Sequence, residues 1–195
     1  MVIEFGKSKG FPVIDCFNFV TPVNGIMSVN AKGIGFLLKE ANYIFKEVNR
    51  AAYIYSANGK EYISPRRLQP DEIAWKLEIS PDDWKEYSPT KKEIVTSVRD
   101  RITTIKYGHR NYDNSILWEG EFSYYLSNAI ESGLAGEGGK DTYKLYLPDM
   151  MLHRAKVGLS KVLGVLTASD SEEIAQVKGG ANIEIVEGEV QVIPD

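Results

Sequence analysis

Apolar residues along this chain change their spacing several times, and each change marks a different predicted element. From Ala31 to Ala52, residues Ile34, Leu37, Leu38, Ala41, Ile44, Phe45 and Val48 recur at intervals of three and four, with Lys39, Glu40, Lys46, Glu47 and Arg50 between them. That period puts the apolar set on one stripe of an amphipathic helix. Ala52 to Ser56 and Lys60 to Ile63 flank Asn58-Gly59, a pair that tolerates the positive φ angles of a tight turn, so they predict a β-hairpin whose second strand ends at Pro65. Glu72 to Ser80 alternates, with Ile73, Trp75, Leu77 and Ile79 on one side, and reads as a half-buried strand.

Thr90 and Glu93 carry the Thr-x-x-Glu spacing of a capping box, and Ile94, Val95, Val98, Ile102 and Ile105 extend it as a helix. Ile116 to Trp118 suits a short strand. Glu121 to Ser132 predicts a helix with Phe122, Tyr125, Leu126, Ala129 and Ile130 inward and Gly133 past its end. Thr142 to Leu147 alternates as a strand stopped by Pro148. Residues 149 to 166 favour helix despite Gly158 and Gly164, residues 169 to 177 add a helical turn, and Asn182 to Val186 and Glu189 to Ile193 form strands joined across Glu187-Gly188. The sum is an α+β fold: a mainly antiparallel or mixed sheet with β-hairpins, covered by amphipathic helices. At this length one domain over residues 31 to 195 buries about 70% of its unfolded surface.

Residues 1 to 30 read as an extended N-terminal arm, because Gly6, Gly10, Pro12, Pro22 and Gly25 interrupt any continuous helix. The arm carries Phe5, Phe11, Phe17 and Phe19. These rings need cover, either from the chain's own domain or from a neighbouring subunit, and they are the first interface candidates.

The formal net charge of −4 argues against a sequence-independent nucleic-acid binder. The charge is unevenly spread. Lys91, Lys92, Arg99, Arg101, Lys106 and Arg110 face only Glu93 and Asp100 between residues 91 and 110, whereas the stretch from Asp170 onward, with Glu184, Glu187 and Glu189, has Lys178 as its one base. Opposite ends of this kind suit head-to-tail docking of copies through Lys91, Lys92, Arg99 and Arg101 on one side and Glu184, Glu187 and Glu189 on the other. Two solvated faces account for the same residues. Tyr107, His109 and Tyr112 beside the bases also admit phosphate and base contacts, so nucleic acid is a possible but less favoured partner. The lone Cys16 closes no intrachain disulfide, and no signal peptide or run of eighteen apolar residues is present, which places the expected setting in a virion or the cytoplasm.

Candidate chemistry is sparse. His109, His153 and Cys16 are far apart in sequence, and neither a nucleophile elbow nor a phosphate loop can be written onto the chain. No cofactor or metal site is expected. Pro70-Asp71, followed by Asp83-Trp84-Lys85, resembles the PD-(D/E)-x-K signature of metal-dependent nucleases. The resemblance implies Mg²⁺ held by Asp71 and Asp83, with Lys85 acting on the attacking water. The competing reading makes Asp82 or Asp83 a helix cap with Trp84 buried. His109-Arg110 and His153-Arg154 admit a phosphate-handling pair only if the fold unites them. The leading expectation is therefore a non-enzymatic structural or assembly subunit of a large oligomeric particle, a virion component such as a phage tail, neck or capsid-associated protein. The alternatives are the Mg²⁺-dependent nuclease and a small inhibitor or regulator that binds a host protein.

Overall fold

The structure is a computed structural model that describes residues 1–23 and 26–166, together with the backbone of residues 185–186 and 189–190. Its centre is an antiparallel sheet of β3 (Tyr43–Ala57), β4 (Lys60–Ser64), β5 (Asp100–Arg110) and β6 (Ile116–Tyr125) in the order β4-β3-β5-β6. The hairpin expected at Asn58-Gly59 is present. Ala57 pairs with Lys60, and both turn residues take positive φ, 51° and 75°, as a two-residue turn of matching twist requires. The fold is α+β.

The expected helix from 31 to 52 is cut short. Helix α3 (Ala31–Glu40) ends where Asn42 turns left-handed, with φ of 62°, and β3 begins at the next residue. The register of β3 against β5 shifts twice, between Glu47 and Asn49 and between Asn49 and Ala52. Each bulge breaks the two-residue alternation, so Ile44, Phe45 and Val48 mimic helical spacing. The second bulge satisfies its own polar groups: Ala51 N–H donates to the Thr103 hydroxyl at 2.8 Å, and the Arg101 guanidinium donates to the Ala51 carbonyl at 2.9 Å.

From β4 the chain crosses back through α4 (Pro70–Lys76), α5 (Pro81–Glu86) and α6 (Pro89–Thr96). Residues 72 to 80 are thus not a strand. Pro70 sits in the first helical turn and Gln69 with Glu72 closes a capping box; Ile73, Ala74 and Leu77 are buried, whereas Trp75, which strict alternation would bury, is 72% exposed. Over so few residues either period fits the letters, and the helix-start chemistry decides. Helix α6 is capped by Ser88 rather than Thr90 and stops at Thr96, so Ile102 and Ile105 belong to β5. The adjacent β-branched Ile102, Thr103, Thr104 and Ile105 favour the strand.

Strand β6 runs to Tyr125, beyond the short strand expected, and α7 (Leu126–Glu131) takes only the second half of the predicted helix; Gly133, at φ of 65°, lies past its end as expected. Residues 142 to 147 are not a strand either: α8 (Asp141–Leu145) is one turn with Tyr143 buried and Leu145 and Tyr146 exposed. Helix α9 (Leu147–Val162) lies across β3, β5 and β6. Leu152, Ala155 and Leu159 meet Ile105 and Phe122 there, and Gly158 leaves room for the Phe122 ring. Strand β7 (Ile185–Val186) pairs antiparallel with β8 (Glu189–Val190). The expected helical turn at 169 to 177 lies outside the described residues.

Residues 1 to 23 are not an extended arm. They form α1 (Val2–Ser8), a 3-10 turn (Val13–Asp15), α2 (Cys16–Phe19) and β1 (Val20–Val23), which pairs with β2 (Ile26–Val29). Glycine and proline keep each helix short without preventing it. Phe11, Cys16 and Val20 share one buried cluster with Ile34, Leu38 and Val157. Asn30 ties the segment to α3: its carboxamide oxygen accepts from the amides of Lys32 and Gly33, and its amide donates to the Asn18 carbonyl at 2.8 Å. Among the described residues no helix is long and apolar enough to cross a membrane.

Gly33 tests this seating. A Cβ there lies 2.6 Å from a Val29 methyl and 2.7 Å from the Phe19 carbonyl oxygen. Helix propensity favours alanine by about 1 kcal/mol, but backbone cannot yield cheaply, and overpacking costs about 1–3 kcal/mol. Gly33→Ala is expected to lower the urea midpoint; a midpoint that rises would show that α3 does not rest on α2.

Candidate functional site

The nuclease-like residues stand on two different short helices. Asp71 lies in the first turn of α4 and Asp83 in the first turn of α5, whose N-cap is Ser80, accepting from the Asp83 amide at 3.0 Å. Asp71, Asp83 and Lys85 are all exposed, and Lys85 faces Asp82 at 3.8 Å. Among the described residues no group of three His, Cys, Asp or Glu side chains could hold a metal ion. The carboxylates begin helices, where they favour the dipole, though Ser80 rather than Asp82 or Asp83 is the cap. Trp84 is half-buried.

The basic segment is split between elements. Lys91 is exposed on α6, and Lys92 lies over the Trp84 ring, 5.4 Å from its centroid. Arg99 donates to the Ser56 hydroxyl at 3.1 Å. Arg101 serves the β3 bulge and lies over the Tyr53 ring, so it helps to hold this chain's own fold together. Of the acidic candidates, Glu184 and Glu187 lie outside the described residues, and only the backbone of Glu189 is described.

The four phenylalanines separate sharply. Phe11 is 3% exposed and stacks edge-on against Phe19 and Phe36, with centroids 5.1 and 5.7 Å away. Phe5 and Phe19 are half-buried against the same core. These three find cover within the chain. Phe17 does not: it is 69% exposed, beside Val13 at 50% and Ile14 at 84%. Spacings of three and four put the three side chains on one face of the turn that runs into α2, while Cys16 and Val20 point into the core. The sequence marked Phe17 but missed Val13 and Ile14, because nothing in their letters says which side of so short a turn is covered.

Open grooves on the described surface carry polar groups. One, of about 440 Å³, is bordered by Asn42, His109, Arg110, Asn111 and Tyr112. His109 stacks on Tyr43 at 4.2 Å, its Nδ1 lies 3.1 Å from the Asn42 carbonyl and its Nε2 lies 3.3 Å from Glu119. A carbonyl only accepts, so Nδ1 carries the proton. His153 and Arg154 stand instead on α9, where buried Arg154 donates through Nε to the Tyr143 hydroxyl at 3.3 Å.

Another groove, of about 430 Å³, lies where α4 turns into α5. It is bordered by the apolar Ala74, Ile79 and Pro81, by Trp75 and Trp84, and by the acidic Asp71 and Glu78. Glu78 makes the turn with φ of 53°, and its carboxylate pairs with Lys60 of β4. The hydrogen bond and charge of that lysine hold its carboxyl below the usual range. Prolines opening two adjacent short helices were the available signal for this corner. No family model, curated protein or solved structure matches the chain.

The start of α4 is set by Glu72, which accepts from Nη2 and Nη1 of Arg66, at 2.5 and 3.0 Å, and from the Gln69 amide at 2.9 Å. The Arg66 hydrogen bonds and the Gln69 amide lower its carboxyl from 4.5 to about 2. A depressed folded-state value contributes stability above the unfolded value of 4.5 that is lost as pH falls towards 2. The urea midpoint of Glu72→Gln is therefore expected below that of the parent at neutral pH, and the gap closes in acid. A gap constant with pH would contradict the pairing.

Proposed function

We propose that this chain is a non-enzymatic structural subunit of a larger oligomeric particle, and that Val13, Ile14 and Phe17 form the knob that binds a neighbouring copy. The observation that carries the reading is the contrast within one short segment. Phe11, Phe19 and Phe36 are packed together, whereas three large apolar side chains on the adjoining turn are left facing water. Scattered apolar exposure is ordinary, but a contiguous set on an ordered turn is characteristic of an interaction site.

Magnitude favours a repeated contact over a tight binary one. Burying side chains of this kind yields on the order of 4–7 kcal/mol before the cost of association is subtracted. That supports weak pairing, which multiple copies reinforce through high effective concentration. A virion component of the tail, neck or capsid-associated class is the concrete form of this proposal, and the exposed Lys91 and the acidic C-terminal sequence supply opposite charges for neighbouring subunits.

Removing residues 1 to 25 is a poor test, because it deletes Phe11, Cys16 and Val20 from the core. The double variant Ile14→Ser, Phe17→Ser leaves that core intact. Sedimentation velocity over a concentration series is expected to show association of the parent and a monomeric variant, with thermal stability changed by less than about 0.5 kcal/mol. A parent that stays monomeric at every concentration, or a variant that associates equally, would contradict the proposal.

A further inference from the structure

The groove between α4 and α5 has the composition of a receptor for an organic cation. Two tryptophans, Trp75 and Trp84, and two acidic residues, Asp71 and Glu78, border it together with aliphatic residues. Indole faces attract cations through the ring quadrupole, and both rings already do so inside this chain: Lys76 lies 4.4 Å from the Trp75 centroid and Lys92 lies 5.4 Å from that of Trp84. Neither lysine is among the residues that border the groove. Among the described residues Asp71 makes no hydrogen bond or ion pair through its carboxylate. Glu78 is held ionised by Lys60.

We propose that this groove binds an arginine side chain presented by a partner protein. A planar guanidinium stacks on indole and offers a fork of donors to a carboxylate, which suits it to Trp75, Trp84 and Asp71 together. A purely aliphatic side chain would cover Asp71 without pairing it, and that burial is unfavourable. Arg66, ahead of α4 in the chain, is already engaged, since it is tied to Glu72. The inference is independent of the Val13, Ile14 and Phe17 knob, which belongs to a different part of the fold.

The test follows the three indole N–H resonances of the ¹⁵N-labelled full chain, assigned by Trp→Phe variants, during titration with N-acetyl-arginine amide. The uncharged N-acetyl-citrulline amide serves as control. The signals of Trp75 and Trp84 are expected to move saturably with the arginine probe and not with citrulline, while Trp118 stays fixed. Asp71→Asn is expected to weaken binding about threefold while remaining folded, with the unfolding midpoint lowered only by the loss of a charge from the first turn of α4. Stationary Trp75 and Trp84 signals, equal movement with citrulline, a Trp118 response of the same size, or undiminished affinity in folded Asp71→Asn would each overturn the proposal.

Discussion

The packing of three rings, Phe11, Phe19 and Phe36, sets where the beginning of this chain can go. Phe11 and Phe19 flank a turn that contains Pro12 and Asp15, and Phe36 belongs to α3. Joining them brings residues 1 to 23 down onto α3, and Cys16 slides beneath Gly6 with no side chain between them. Aromatic contacts of this type add about 0.5–1.5 kcal/mol per pair beyond area burial. The same docking fixes which face of the following turn looks outward. Cys16 and Val20 point in, and Val13, Ile14 and Phe17 therefore point away.

Helix α9 extends that constraint to the rest of the molecule. Val157 joins the N-terminal cluster, Leu152, Ala155 and Leu159 cover the sheet at Ile105, and Met150 and Leu147 meet the cluster around Ala129 and Tyr143. A helix that buries residues on several sides cannot keep a single apolar stripe, which is why Arg154 and Ser160 are also buried. The two conspicuous surfaces lie away from it: the apolar knob on the N-terminal side and the tryptophan groove at the corner made by α4 and α5.

Much of the fold was legible where local chemistry and tertiary packing agree. Asn58-Gly59 specified its hairpin through φ angles available to few residue pairs, and the helical pattern expected over 149 to 166 outweighed Gly158 but ended at Val162, ahead of a left-handed Gly164. Errors arose where short elements meet. Bulges in β3 disguised a strand as the continuation of α3, and the alternation of Ile73, Trp75, Leu77 and Ile79 concealed a helix that Pro70 and Glu72 had marked. The missing stop signal at Asn42 was readable, since a left-handed asparagine ends helices for a steric reason. Of the candidate site residues, Phe17 was recognised from its apolar character alone. The roles of Arg101 and Phe11 depend on contacts made by residues far away in sequence.

The account treats the N-terminal segment as part of its own globule, which then offers a knob to neighbours. Thiol labelling of Cys16 under native conditions tests this most directly, because Cys16 is fully enclosed and is the only cysteine in the chain. The account predicts labelling far slower than in the unfolded protein, at a rate that does not change as the protein is diluted. Rapid labelling, or protection that disappears on dilution, would contradict it, since either result would mean that the segment is loose until another subunit holds it.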